Sequence, residues 1–311
     1  MSNYVKISTI GSREFIVDEL LTTEEIVDRI IKHLQQKLSQ VLPEQPDIIV
    51  LPEFCDIPFN VFLSPAKTHE YCQVRGDRIL RLFSDIAREH GCYIAYPTLR
   101  QQEDQSWRNS IALLDRSGDK VGEYAKNYLT LGEIEDYGVT CGTEAPIIDC
   151  DFGRIACAIC FDLNFDRLRL QYVESKPDLI LFSSLYHGGI MQPYWAYSCR
   201  SHFVGAIGGG QPSAVLSPVG EVLASSTNYF DFATTTVNLD CAVVHLDYNM
   251  ERLRGLKSKY GSKVKIADPG YLGSVLISCE TDECTIEDII QEFNIERLDD
   301  YLDRATAWRA E

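Results

Sequence analysis

One order of elements, strand, helix, strand, hairpin, is legible twice along this chain, and that recurrence limits the folds open to it. "VKISTI" reads as an edge or central strand. "TTEEIVDRIIKHLQQKL" reads as a helix: Thr22 and Glu25 have capping-box spacing, and Ile26, Ile30, Ile31, Leu34 and Leu38 fall on one face. "DIIVLPE" is an apolar run that stops at Pro52, the pattern of a buried strand. "GDRILRLFSDIAREHG" is a second helix closed by Gly91, and "CYIAYP" is the next strand. "SIALLDRSGDKVGEYAK" turns as a hairpin at Ser-Gly. The scheme then restarts with the strand "GRIACAICFD", the helix "FDRLRLQYVES", the strand "PDLILFSS" and the helical stretch "QPYWAYSCRSHF". "VGAIGG" is a strand, "SAVLSPVGEVLASS" is a hairpin turning at Pro218 to Gly220, and "CAVVHLD" closes the set. Two similar halves predict an α/β fold of two packed sheets with helices on the outer faces.

A chain of 311 residues, 45% hydrophobic and 24% charged, has enough apolar material for a sizeable core. No Pro/Gly/Ser-rich linker divides it. The expected organisation is one domain over residues 1–270 and a helical C-terminal extension over 271–311, packing on the domain or at a subunit interface. A net charge of -17 makes phosphate backbones and anionic membranes poor partners. No apolar stretch approaches a membrane span, and "MSNYVKISTIGSREF" lacks the apolar run of a signal peptide. The 11 cysteines are odd in number and widely spread, unlike a secreted disulfide framework. These features predict a cytoplasmic protein with reduced thiols.

Three ionisable residues end apolar runs: Glu53 after "IIVLP", Lys126 after "KVGEYA" and Cys160 after "IACAI". Function collects at such strand ends in α/β folds. A charge delivered by a buried strand needs a partner, and a carboxylate and an ammonium satisfy each other. Singly, each has an ordinary explanation: a solvated or capping carboxylate, a surface lysine, an inert core thiol. Their joint occurrence carries the expectation.

The segments "LPEFCD", "YAKNYLTLGE" and "CAICFDLNF", in that order and with long gaps between them, resemble the three signature segments of the nitrilase superfamily, the carbon–nitrogen hydrolases. "SPVGEVLASS" resembles a further segment of that family, so the resemblance runs from about Val5 to Asp247. It implies a four-layer α-β-β-α sandwich. It also implies Cys160 as nucleophile, Glu53 as general base and Lys126 as stabiliser of the tetrahedral intermediate. A second family glutamate follows the lysine by seven or eight residues; Glu133 matches, with Glu135 the near alternative. The loop "SSLYHGGIMQPYW" borders the substrate in such proteins, which makes Tyr186, His187 and Trp195 candidate wall residues, with "NVFLSPAKTHEYC" opposite. For Trp195, core packing is an equal reading. Arg200 is open between an anion clamp and a structural ion pair, and His202 reads as structural. The resemblance further implies a small-molecule amide, carbamoyl or nitrile substrate, no cofactor, and a homo-oligomer, a dimer or larger. Phe-Asp after the cysteine, where true nitrilases more often have Trp-Glu, favours amide or carbamoyl hydrolysis.

The chemistry suits these residue types. A thiolate attacks a carbonyl well and splits amide hydrolysis into two easier steps through a thioester. A free thiol has a pKa of about 8.5, so an adjacent base and ammonium are needed at neutral pH. The backbone N–H of Phe161, where a helix is expected to begin, is a candidate second donor to the oxyanion. No metal is expected, since the six histidines are scattered. The competing reading is a thiol redox or zinc protein using Cys157 and Cys160, with Cys279 and Cys284 as a second pair. Strand alternation opposes it, because residues three apart on a strand face opposite sides. A non-catalytic relative that binds a ligand is the third reading.

Overall fold

The computed structural model describes residues 2–12 and 14–310. Two six-stranded sheets carry the two halves of the sequence. The first contains β1 (Tyr4–Ile10), β2 (Ile48–Val50), β3 (Tyr93–Gln101), β4 (Trp107–Leu114) and β5 (Lys120–Ala125) in that spatial order. The second contains β6 (Ile148–Cys150), β7 (Gly153–Ile159), β8 (Leu179–Ser184), β9 (His202–Ile207), β10 (Ala214–Leu216) and β11 (Val222–Ser225), with β6 on the outside of β7. In each half the first three long-range partners run parallel, β1-β2-β3 and β7-β8-β9, and a hairpin then adds two antiparallel strands. Strand β12 (Phe232–Asn238) returns from the far end of the chain to pair antiparallel with β1 along its whole length.

Parallel pairs need crossovers, and amphipathic helices provide them. In the first half these are α1 (Thr23–Leu38) and α4 (Arg78–His90), preceded by α2 (Phe59–Phe62) and α3 (Pro65–Arg75). The capping box at Thr22 and Glu25 is formed, and Gly91 takes the left-handed conformation that ends α4. Val27, Ile30, Leu34 and Leu38 are the buried stripe of α1; Ile26 and Ile31 sit at its margin. Ile30, Leu34, Leu38, Ile79 and Phe83 pack on Ile49, Leu51, Ile94 and Tyr96 of the first sheet. In the second half α6 (Asp166–Ser175) and α7 (Met191–Cys199) follow a short helix α5 (Leu131–Glu135) in the chain and cover the second sheet. Between the sheets, Val5, Ile7, Ile48 and Val50 meet Ile155, Cys157, Leu179 and Leu181 in one core. The layers are therefore helix, sheet, sheet, helix, the expected α-β-β-α sandwich.

The C-terminal region departs from the helical expectation. Strands β13 (Cys241–His245), β14 (Val264–Ala267) and β15 (Ser274–Cys279) form a third sheet in the order β13-β15-β14. Helices α8 (Met250–Tyr260), α9 (Ile286–Phe293) and α10 (Leu298–Ala310) accompany it. Residues 271–311 thus contain the central strand of a sheet as well as helices, and "CAVVHLD" belongs to that sheet rather than closing the second. Val244, Leu256, Val264, Ile277 and Ile289 form its own small core. It joins the main body through Val243 and Leu298 against Val219, and through the Arg200–Asp299 ion pair at 3.1 Å. Arg200 is a structural partner of the C-terminal helix, not an anion clamp. Among the described residues, no helix is long and apolar enough to cross a membrane.

Candidate active site

Glu53 and Cys160 leave their strands through turns that the surrounding polar groups hold in place, while the Lys126 N–H continues the pairing of its strand by donating to the Asn109 carbonyl. Glu53 follows β2 and is 2% exposed. Phe54, next to it, has φ +53, so the chain turns sharply as it leaves the sheet. Asp56 anchors that turn from below: it is buried, pairs with Arg75, and accepts a hydrogen bond from the Thr98 hydroxyl at 3.0 Å. Lys126 follows β5 and is 1% exposed. Cys160 follows β7 with φ +47 and opens a 3-10 turn over Cys160–Asn164. Asp162, wholly buried, clamps this turn by accepting from the Ile159 N–H at 2.9 Å, the Tyr128 N–H at 2.8 Å and the Tyr124 hydroxyl at 2.7 Å. Burial raises the Asp162 carboxyl from 3.8 to about 6 against these donors.

The cluster converges on Lys126. Its ammonium donates to Glu53 Oε1 at 3.0 Å and to both oxygens of Glu133 at 2.9 and 2.8 Å. The Asn109 amide bridges the same two carboxylates, 2.8 Å from Glu53 Oε1 and 2.9 Å from Glu133 Oε1. Glu133 also closes a capping box with Thr130 at the start of α5, taking the Thr130 N–H at 2.9 Å. Glu135 is exposed on the same short helix. The geometry thus places Glu133, not Glu135, in the cluster. Burial alone would lower the Lys126 pKa, but Glu53, Cys160 and Glu133 outweigh it and hold the ammonium well above its ordinary range.

The Cys160 side chain faces Glu53, Lys126 and the Ser184 hydroxyl. Burial, reinforced by the Glu53 carboxylate, pushes its thiol pKa up, with Lys126 and Ser184 opposing. Cys157 lies in the inter-sheet core and is wholly buried. The two cysteines are kept apart, but not by pleat alternation alone: the strand ends at Ile159, and the positive φ of Cys160 sets its direction. Cys279 and Cys284 sit in the third sheet region with sulfurs 3.8 Å apart. No group of three or more metal-ligating side chains occurs among the described residues.

The remaining expected wall residues fare differently. Tyr186 is half-buried, and its hydroxyl accepts from Asn164 at 3.1 Å. Burial, with Cys160 next in effect, raises its phenol to about 12. His187 accepts the Gly189 N–H at 3.1 Å through Nδ1, which orders the loop. Phe161 is exposed and packs edge-on against Phe165. Trp195 is 0% exposed; its indole N–H donates to the Leu163 carbonyl at 3.1 Å, so it supports the Cys160–Asn164 turn from within the core and offers no surface to a ligand. A cavity of about 250 Å³ opens beside Glu53, with Phe62 from the expected opposite wall, and Phe59 just before that segment, among its lining.

Asn109 and Asp162 were not singled out from the sequence as site residues. An Asn inside the apolar strand "NSIALL" is a depleted type at such a position, and it was the available signal for the first. The Thr130-x-x-Glu133 spacing was the available signal that fixes Glu133 over Glu135.

A family model described as carbon-nitrogen hydrolase matches residues 19–249. The deaminated glutathione amidase of Homo sapiens is 24% identical over 169 residues, covering 50% of this chain and 50% of that protein. The beta-ureidopropionase of Arabidopsis thaliana is 22% identical over 173 residues, 52% of this chain and 42% of that one. The matches thus span about half the length of these relatives. An omega-amidase of Xenopus laevis is 22% identical over 242 residues, 70% of this chain and 82% of that one. Among solved structures, the C. elegans NitFhit protein superposes with a TM-score of 0.66 at 17% identity, covering 83% of this chain and 65% of that one. An amidase from Nesterenkonia sp. AN1, seen with acrylamide added at its active-site cysteine, gives 0.63 at 16% identity over 81% and 99%. At such identities the likeness establishes the sandwich fold.

Proposed function

The chain belongs to the carbon-nitrogen hydrolase family, and on that premise we propose that it hydrolyses a non-peptide C–N bond, an amide or N-carbamoyl group, through a thioester on Cys160. The observation that carries this reading is the meeting of Glu53, Lys126 and Cys160, delivered by strands far apart in sequence. In the proposed reaction, Cys160 Sγ attacks the carbonyl carbon while Glu53 takes the thiol proton. Lys126 and Asn109 both donate to Glu53 Oε1, which holds the carboxylate in place beside the thiol. The developing oxyanion is met by the Lys126 ammonium and the Phe161 N–H. Glu53 then protonates the leaving nitrogen, the C–N bond breaks, and ammonia or an amine departs. Water attacks the thioester with Glu53 as base, releasing acid and thiol. Glu133 is saturated by Lys126, Asn109 and Thr130, so its role is to position the lysine rather than to move protons.

Intact-mass spectrometry after incubation with amides, carbamoyl amino acids and nitriles tests this. An acyl adduct on Cys160, trapped in a slowly deacylating variant, is expected; an adduct on another cysteine, or none with any member, overturns it. We also place the protein in the cytoplasm, where its free thiols stay reduced. Self-association is proposed through α6 and α7, which expose Leu170 and Tyr194 beside Ile190. Sedimentation of a Leu170→Glu variant, expected to dissociate, checks this.

A further inference from the structure

The cavity beside Glu53 is not a generic cleft. Its walls are Phe15, Phe54, Ile57, Phe59, Phe62 and Leu185. Leu185 directly follows Ser184, which faces the Cys160 thiol, so the cavity adjoins the bond-breaking position. The rings are already arranged: Phe54 and Phe62 lie 4.9 Å apart and tilted, and Phe15 stacks on His33 at 4.3 Å. The two sides are tied together. Asn60 receives the Val17 N–H at 3.1 Å and donates to the Val17 carbonyl at 2.8 Å, and the Phe59 N–H donates to the Phe15 carbonyl at 2.8 Å. Such ties limit the ordering cost of closing on a ligand. Phe59 and Leu185 are each 39% exposed, so both offer apolar surface to the cavity.

Among the described residues lining the cavity, the charged groups are the carboxylates Glu14 and Glu53. Burial and then Lys37 lower the pKa of His33, which keeps its imidazole neutral. Glu14 adds negative charge to this lining and Glu53 is already paired with Lys126, so the described lining suits an uncharged substrate tail better than a carboxylate. The volume of about 250 Å³ lies just below the usual range for small-molecule sites and suits one ring with a short linker.

We propose that this cavity binds an uncharged aryl or arylalkyl group, so that the substrate is a neutral aromatic carboxamide such as a phenylacetamide-type compound. The proposal rests on the hydrolase reading above and narrows it to a substrate class. The ring lies between the Phe59–Phe62 wall and Phe15, and the carbonyl carbon reaches Cys160 past Glu53.

Two measurements separate the proposal from its premise. The first is kcat/KM for phenylacetamide, 3-phenylpropionamide, acetamide and succinamate. The second is calorimetric binding of the same compounds to the Cys160→Ala variant, which cannot turn over. The arylamides are expected to exceed acetamide and succinamate by about tenfold or more in both. Phe59→Ala, which removes an exposed ring and leaves the core intact, is expected to shrink that ratio several-fold, and Phe62→Ala to do the same. Faster turnover of acetamide or succinamate, or no preferential arylamide binding, overturns the cavity assignment and leaves the hydrolase standing. Preferential arylamide binding without any hydrolysis overturns the hydrolase reading and supports the cavity assignment.

Discussion

Phe54 and Cys160 flank the proposed active site by the same device, a non-glycine residue held at positive φ beyond a parallel strand. That conformation costs about 1–2 kcal/mol for an L-residue and persists only where the surroundings over-determine it. At Cys160 the surroundings are the three donors gathered by Asp162. Cys160→Ala is therefore expected to abolish turnover. Cys160→Gly should be equally inactive yet more stable than Cys160→Ala by about 1 kcal/mol, read from urea midpoints. Cys157→Ala should cost about 1 kcal/mol of core packing and leave turnover in place. Equal loss of activity in both cysteine variants would restore the paired-cysteine reading. The same residues create an unusual balance in pH. Asp162 is raised from 3.8 to about 6, so between those values the folded chain holds more protons than the unfolded one. Stability then falls as pH rises, by about 3 kcal/mol in all. His202, buried in β9, is lowered from 6.5 to about 4, so the unfolded chain holds more protons there. Its term makes stability rise with pH by about 3 kcal/mol across nearly the same window. The two oppose each other. His202→Leu should remove one of them, leaving a variant whose stability relative to wild type falls by about 3 kcal/mol between pH 4 and 6.5. A constant difference across that range would show that His202 does not titrate differently on folding.

At the scale of elements, α5 shows how a very short helix can hold a buried lysine in place. Its capping box uses the Glu133 carboxylate to close the helix start while the same carboxylate holds Lys126. Thr130→Ala removes the cap hydroxyl, typically about 1 kcal/mol, and frees the carboxylate to move. Glu133→Gln keeps an acceptor for the cap but removes charge beside the ammonium. Both should lower kcat by about tenfold to a hundredfold, the cost of a misplaced catalytic group, with smaller changes in KM. A fall confined to KM would make Glu133 a binding residue instead. Elements of this kind differ in how readable they are. The strands that deliver Glu53 and Cys160 were legible because a doubly buried parallel strand is an unbroken apolar run, and an ionisable residue at its tip stands out. The Thr-rich strand β12, "FATTTVN", has no such run, and its place beside β1 depends on a pairing across most of the chain. The sequence marks the region of α2 and α3 as a wall without showing its helices, since "FNVF" is one turn long and Pro65 starts the next element. Cys160 itself stands out in the sequence, but strand alternation does not give its direction, because the pleat ends one residue earlier.

Over the whole molecule, the recurrence in the sequence was enough to predict two packed sheets, because each half carries its own hydrophobic periodicity. The C-terminal third sheet was missed because its strand "SVLISC" lies in a tail otherwise rich in helical, acidic pattern. Its topology has a mechanical consequence. β15 lies between β13 and β14 and pairs with both, while those two do not pair with each other. Removing residues 271–311 would take out the centre of that sheet, leaving two unpaired edges and the apolar faces of Val244, Leu256 and Val264 in water. Removing only residues 302–311 would trim an exposed stretch of α10 and leave Leu298 and the Arg200–Asp299 pair intact. The long deletion is expected to aggregate or lose most of its cooperative unfolding transition. The short one should shift the Tm by no more than about 4 °C, the effect of roughly 1 kcal/mol in a chain of this size. Thermal unfolding of the two truncated chains distinguishes a sheet that the sandwich depends on from an appendage it merely carries. A cooperative transition near the full-length value in the long deletion would show that the sandwich stands without its third sheet.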